Sequence, residues 1–174
     1  MKKDPGLDVV GRLLRRLAQT FALTGATMAG AVGLMTVASV AGRALFTQPI
    51  PGDVELTQFG IALAISLSLG WCQLQGSNII VDFFTDRLSV RPRQWLDASG
   101  ALLLGVMCAL LAWRAGAGAV AVREAGETSM ILALPMWWAY ASLAPGLALS
   151  ALIAAYQAVM LALDRPLAAL QGRR

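Results

Sequence analysis

The sequence lacks histidine altogether and has only two cysteines, Cys72 and Cys108. The usual axial ligand of a membrane haem and the commonest general base are therefore missing. No metal-ligand spacing is present, and no glycine-rich phosphate loop follows a strand. We expect both cysteines to be small core residues within predicted spans. These absences predict a chain that is not an enzyme and that holds no cofactor or metal ion.

Charged side chains are also scarce, at 14% of residues against 57% apolar, whereas a soluble domain has about 25% charged. Four stretches are long and apolar enough to cross a bilayer, which takes about 20 helical residues. They lack the alternation of a β-barrel strand. The sequence predicts an all-α integral membrane protein with a single domain, residues 1–174, and spans at about 17–42, 55–76, 94–118 and 135–162.

Two shorter segments have the apolar stripe of a helix that lies on the membrane surface, at about 6–16 and 78–89. In the first, Leu7, Val10, Leu14 and Leu17 share one face and most of the charges lie elsewhere. An alternative is that the first segment simply extends the first span as a basic helix.

Basic residues are unevenly divided between the segments that flank the spans. The N-terminal segment, the second loop and the tail carry eleven Lys and Arg, whereas the other side carries three, Arg43, Arg114 and Arg123. Because positive charge stays on the cytoplasmic side, we predict that both termini are cytoplasmic. The net charge of +4 then indicates contact with anionic phospholipid rather than nucleic acid.

Aromatic residues mark the expected membrane surfaces. Trp95 and Trp113 are 18 residues apart, about 27 Å as helix, and Trp138 and Tyr156 have the same separation. The predicted interfacial anchors are Trp95, Trp113, Arg114, Trp137, Trp138 and Tyr156. For the aromatic residues that open the last span, the alternative is a site where a substrate stacks on their rings.

The middle of every predicted span lacks Asp, Glu, Lys and Arg. Proteins that conduct ions usually place an ionisable group at depth, so we predict that this chain alone forms no ion path. Polar residues within the spans are expected to bond across helices; they include Gln19, Thr24, Ser66, Ser68 and Ser142. Small residues four apart permit close helix contact, at Ala26 and Gly30, Ala29 and Gly33, and Ala112 and Gly116.

Five charged residues near the predicted outer loops are candidate partner or docking contacts: Arg43, Asp53, Glu55, Glu124 and Glu127. Our hypothesis is that Arg43 and Glu55 form an ion pair that holds residues 48–53 for docking. The alternative is two separately hydrated charges. Glu124 and Glu127 either receive basic residues of a partner or are simply solvated.

Several short motifs occur in order between the four spans. Arg43 ends the first span, and a Pro-Gly loop leads into Glu55-Leu56. Residues 76–82 read Gly-Ser-Asn-Ile-Ile-Val-Asp, and Thr128-Ser129 precedes Leu134-Pro135-Met136-Trp137, Tyr140 and Pro145-Gly146. In this order the chain resembles, from about 12 to 163, the DctQ-like small membrane subunit of tripartite ATP-independent periplasmic (TRAP) transporters.

One departure concerns Asn78, where the family often has histidine. Because asparagine does not titrate, this departure argues against a pH-sensitive role for the position, and we predict that Asn78 is a helix N-cap.

The resemblance implies a multi-pass protein of the bacterial inner membrane, paired with a much larger permease subunit that carries the substrate and sodium sites. A soluble periplasmic substrate-binding protein would deliver an organic acid. The small subunit would then be a scaffold that does not contact the substrate. The alternative is a cofactor-free membrane anchor or assembly subunit of another inner-membrane complex.

Overall fold

The computed structural model describes residues 5–48, 50–75 and 90–163, and places side chains within 9–48, 50–75 and 95–163. Over these residues the chain forms helices, with one isolated β-bridge between Thr128 and Pro135. The all-α prediction is confirmed. The helices are α1 (Pro5–Phe46), α2 (Asp53–Leu74), α3 (Val90–Ala125) and α4 (Trp137–Ala162).

Each of the four helices is long and apolar enough to cross a membrane. Large apolar side chains are exposed along them, among them Leu34, Leu103 and Leu152. Soluble proteins rarely expose apolar surface continuously over whole helices. Lipid or an apolar partner must therefore cover these faces, which agrees with the membrane prediction.

The first interfacial helix is not separate from the first span. Residues 6–16 and 17–42 form one helix, Pro5–Phe46, so the basic-extension alternative describes the structure. Proline occurs only at the start of this segment, at Pro5, where its missing N–H costs nothing. Nothing beyond it interrupts helix propagation, which is favourable once a helix exists. The second predicted interfacial helix, 78–89, lies outside the described residues.

The other helix boundaries shift by a few residues. α3 begins before and ends after the predicted span of 94–118. Arg123 lies beyond the predicted end and continues the helix, because its long side chain can extend the charge toward the surface. α4 begins at Trp137, so Pro135 precedes it rather than occupying its first turn, and Pro145 lies inside it. Hydropathy finds the apolar stretch, whereas backbone hydrogen bonds set the helix ends.

The helices pack in the order α1, α2, α4, α3, and α1 barely touches α4. α4 is the most buried helix because it packs on both α2 and α3. Its Ile153 and Ala154 are fully buried. A core cluster joins the N-terminal part of α1 to the C-terminal parts of α2 and α4, and it consists of Leu14, Ala18, Leu74, Leu149, Ile153, Tyr156 and Met160.

Tyr156 is a member of that cluster and is only 9% exposed. Its ring therefore packs between helices. The predicted role as an interfacial anchor concerns the depth of Tyr156 in the membrane, and it stays a prediction. The 18-residue separation between Trp138 and Tyr156 indicates how far apart they lie along the helix axis, but not which side of the helix each occupies.

Close packing within the chain uses glycines that the sequence pattern did not single out. A side chain at Gly146 would overlap the backbone carbonyl of Ser66, and one at Gly60 would overlap Val32. In contrast, Gly30, Gly33 and Gly116 have open space where a side chain would stand. At these three glycines the predicted small-residue pairs therefore mediate no close contact with the part of the chain that the structure describes.

Polar groups do bond across the helices, as expected for Ser66, whose hydroxyl donates to the Leu143 carbonyl at 2.7 Å. Thr24 and Ser142 bond to carbonyls of their own helices instead. A further cross-helix pair is formed by buried Gln73 and Gln157. The Gln73 side-chain amide donates to the Gln157 side-chain oxygen at 2.7 Å. The Gln157 side-chain amide donates to the Gln73 backbone carbonyl at 3.1 Å.

Candidate functional site

The α1–α2 and α3–α4 connections, residues 47–52 and 126–136, meet at one end of the helices, which we call the loop end. The α1–α2 turn depends on Gly52, whose φ is +72°. Its carbonyl accepts the Leu56 N–H and so starts α2. A side chain at Gly52 would overlap Leu132 of the other connection. Glycine is required there both by the backbone conformation and by this contact.

A polar network ties the end of α1 to the start of α2. The fully buried Ser39 hydroxyl donates to an Asp53 carboxylate oxygen at 2.5 Å and accepts the Ile50 N–H at 3.2 Å. The other Asp53 oxygen accepts the Val54 N–H. An acidic residue is favourable at a helix N-terminus. Ser39 was not singled out from the sequence, where it is one of many hydroxyls in an apolar span.

Arg43 pairs with Asp53 rather than with Glu55, at 3.6 Å from Nη2 to Oδ2. The predicted Arg43–Glu55 pair is therefore wrong. Two residues of helix turn a side chain by about 200°, so Asp53 and Glu55 point to different neighbours. Sequence proximity to the same loop could not distinguish these two carboxylates.

Glu55 holds the α3–α4 connection instead. Its carboxylate accepts the Ser129 hydroxyl at 2.8 Å and the backbone N–H groups of Ile131 at 2.8 Å and Leu132 at 3.1 Å. The Ser129 oxygen in turn accepts the Leu134 N–H at 3.1 Å. Hydrogen bonds to a charged acceptor are stronger than neutral ones. One carboxylate thus fixes the backbone of a loop 74 positions or more along the chain.

Two apolar side chains project from this braced loop. Met130 is fully exposed and Ile131 is 63% exposed. The two ends of the loop are joined by a backbone hydrogen bond, in which the Met136 N–H donates to the Glu127 carbonyl at 3.1 Å. The sequence did carry a signal for them, because a Met-Ile pair stands in a short connection between charged residues and a proline. The result is a fixed loop with an apolar tip.

The remaining predicted residues border this loop or lie away from it. Glu124 and Glu127 are exposed, as both of their interpretations require. Arg123 lies 5.4 Å from the Trp137 ring centroid, and the Trp137 and Trp138 rings meet edge to face at 6.0 Å. The Arg123–Trp137 contact joins the end of α3 to the start of α4.

The other interfacial-anchor residues do not join the loop end. Trp95 lies at the opposite end of α3, and it is exposed, as are Trp113 and Arg114. Their role as membrane anchors stays a prediction.

The chemistry available at the loop end is that of binding. Within the described ranges, no group of three or more His, Cys, Asp or Glu side chains is placed to hold a metal ion. The carboxylates of Asp53 and Glu55 are occupied by hydrogen bonds within the chain. The groups that this surface exposes to a partner are the apolar side chains of Met130 and Ile131, the carboxylates of Glu124 and Glu127, and the guanidinium of Arg43.

Comparison with known families gives one match. The family described as tripartite ATP-independent periplasmic transporters, DctQ component, matches residues 32–164. Neither the comparison with curated proteins nor that with solved structures gave a match. The matched residues include α2, α3, α4, the loop end and the last part of α1, and they amount to more than half of the chain.

The match confirms the resemblance inferred from the sequence motifs. The family is a component of transporters, not of enzymes, and its membership implies a large permease and a periplasmic binding protein as partners. Together with four membrane-length helices, it makes the protein a multi-pass component of the bacterial inner membrane. This chain belongs to the DctQ family, the small permease component of TRAP transporters.

Proposed function

We propose that this chain is a static scaffold for the large permease subunit of a sodium-coupled, binding-protein-dependent transporter of an organic acid. The observation that carries the proposal is the charge-free middle of the spans. No Asp, Glu, Lys or Arg occurs between Arg16 and Arg43, between Glu55 and Asp82, or between Asp97 and Arg114. Because ion pathways usually place a charged group at depth, the cargo passes through the partner subunit.

The exposed helix faces support a scaffold role. Outward-facing leucines on α1 and α3 leave apolar surface for a membrane partner. Open space beside Gly30, Gly33 and Gly116 would let a neighbouring helix approach the backbone closely. A heterodimer with the large subunit would cover part of this surface, and lipid would cover the rest.

The loop end is the proposed docking surface for the periplasmic binding protein. An apolar centre with a charged rim is the usual anatomy of a protein interface, and the loop end exposes both the apolar Met130 and Ile131 and the charged Glu124, Glu127 and Arg43. The three arginines on the loop side, against eleven basic residues elsewhere, support a periplasmic position for this end. Because Glu55 already orders the loop, docking would cost little conformational entropy.

Reconstitution tests the scaffold proposal. Liposomes would contain this chain alone, the large subunit alone, or both, with binding protein, substrate and an inward sodium gradient supplied in each case. Uptake is expected only when both membrane subunits are present, and it should disappear when the sodium gradient is replaced by potassium. Sodium-driven uptake by this chain without the large subunit would contradict the proposal.

A further inference from the structure

The α3–α4 connection has a backbone conformation that its own residues do not favour. Ala133 has a φ of +53°, in the left-handed region that alanine rarely adopts. The chain also turns back sharply here, since the Ser129 N–H donates to the Leu134 carbonyl at 2.8 Å. A conformation of this kind persists where the surrounding structure fixes it. We therefore expect contacts from outside the loop to hold residues 129–134 in one arrangement.

The Glu55 carboxylate of α2 supplies the polar part of that contact. The Ile131 and Leu132 N–H groups follow one another along the chain, and both donate to it, at 2.8 Å and 3.1 Å. Successive backbone N–H groups directed at one point form a concave site for an anion. The Ser129 hydroxyl completes the site with a bond of 2.8 Å. The loop thus contains a carboxylate site, and the chain itself supplies the carboxylate.

This site determines where the apolar tip, Met130 and Ile131, is held. Both side chains are exposed, Met130 completely, so their own packing gives the tip little support. The backbone bonds to Glu55 lie within and beside the tip. The arrangement of the two apolar side chains therefore depends on a residue of another helix.

An apolar contact provides a second support for the same loop. Leu132 packs against Gly52, at the position where a side chain of residue 52 would stand. This contact does not involve Glu55, so it remains when the carboxylate is removed. Loss of the Glu55 carboxylate should therefore loosen the tip without detaching the loop from α2.

We propose that Glu55 is a positioning residue for docking, which orders Met130 and Ile131 before the periplasmic binding protein arrives and does not contact that protein itself. The inference rests on the proposed docking function of the loop end, and it adds which residue sets the docking affinity. The Glu55 carboxylate already accepts three hydrogen bonds from its own chain. Without it, the tip would have to be ordered during binding, which lowers affinity.

The test is uptake by liposomes that contain both membrane subunits, measured while the concentration of binding protein is varied. Glu55→Ala should raise the concentration needed for half-maximal uptake by about tenfold, because side chains that were ordered in advance must now be ordered on binding. The maximal rate should match that of the wild type, since the docked tip is the same. A lower maximal rate with an unchanged half-maximal concentration would overturn the proposal.

Ser66→Ala is the matched control for a general loosening of α2 on α4. It removes the hydrogen bond from Ser66 to the Leu143 carbonyl and leaves every bond of the loop in place. The half-maximal concentration of binding protein should therefore stay at the wild-type value. An increase equal to that of Glu55→Ala would overturn the proposal, because helix packing and not the tip would then explain both results.

A mutant cycle separates positioning from direct contact with the partner. In the background of Met130→Ser/Ile131→Ser, Glu55→Ala should cause no further increase in the half-maximal concentration, because Glu55 acts through those two side chains. Fully additive increases would overturn the proposal, since Glu55 would then affect docking independently of the tip.

Ser129→Ala reaches the same site from the loop and serves if Glu55→Ala does not fold. It removes the hydroxyl that bonds to Glu55 and to the Leu134 N–H, so it should change the half-maximal concentration in the same direction. If Met130→Ser/Ile131→Ser weakens docking while Glu55→Ala and Ser129→Ala do not, the positioning role is wrong and the docking surface stands. If Met130→Ser/Ile131→Ser leaves docking unchanged, the docking surface itself is wrong, and the positioning role is wrong with it.

Discussion

The Glu55 carboxylate accepts the hydroxyl of Ser129 at 2.8 Å, although the two residues are 74 positions apart. This bond, with the two backbone bonds beside it, makes the start of α2 the support for the connection between α3 and α4. The pair α1–α2 is therefore joined to the pair α3–α4 by hydrogen bonds at the loop end, in addition to the packing of α2 on α4. The surface offered to a partner depends on a residue that does not itself need to contact that partner.

Glu55→Ala should therefore release the loop without unfolding the helices. The Ile131 and Leu132 N–H groups lose their acceptor, so hydrogen–deuterium exchange in residues 129–134 should become faster while α2 and α4 stay protected. Glu55→Gln keeps one carbonyl oxygen and should give a smaller effect. Glu127→Gln is the matched control, because that side chain is exposed on the same loop. Equal protection in Glu55→Ala and the wild type would contradict the bracing role.

The helices were predictable from the sequence because their signal is simple. Length and hydropathy alone identify apolar runs that must satisfy their backbone groups in lipid. The break expected near residue 17 was wrong because amphipathicity changes there while helix propensity does not. Hydropathy has no means of separating a surface helix from a basic extension of a span.

The candidate site was only partly predictable, for a geometric reason. The charged residues of the loop end were identified, but the partner of Arg43 was misassigned because Asp53 and Glu55 lie two residues apart on one helix. The partners of Glu55 are in a loop that the sequence places far away. The burial of Tyr156 was not predictable for the same reason, since a spacing of 18 residues does not say which side of α4 faces a neighbour.

Gly146→Leu should destabilise the chain, because the added side chain would overlap the Ser66 carbonyl where α2 and α4 cross. Overpacking of this kind costs about 1–3 kcal/mol or more. Gly30→Leu is the control, since that position has open space around it and the purified chain should tolerate the change. Thermal unfolding in detergent measures both variants. A melting temperature for Gly146→Leu equal to that of Gly30→Leu would be inconsistent with the close crossing.

The Gln73–Gln157 pair should contribute a modest coupling energy between α2 and α4. Cross-helix polar bonds in membrane proteins average about 0.6 kcal/mol and reach about 1.7 kcal/mol. The two buried side chains share one bond, from the Gln73 amide to the Gln157 side-chain oxygen, since the second bond runs from Gln157 to the Gln73 backbone carbonyl, which Gln73→Leu retains. A double-mutant cycle with Gln73→Leu and Gln157→Leu, read by unfolding in mixed micelles, measures it. We expect a favourable coupling within that range. Strictly additive losses would mean that the two amides do not stabilise one another.

Met130 and Ile131 should matter for docking and not for folding, because their side chains project from a loop whose backbone is held from below. The double variant Met130→Ser/Ile131→Ser keeps the Ser129 and backbone bonds to Glu55, so its thermal stability should match that of the wild type. In the reconstituted transporter it should raise the concentration of binding protein needed for half-maximal uptake, since exposed apolar anchors dominate many interfaces. Leu163→Ser is the control, being an exposed apolar residue at the opposite end of α4. If both variants transport like the wild type at limiting binding protein, the apolar tip is not the docking contact. An equal loss in the control would instead indicate a general effect of removing exposed apolar surface.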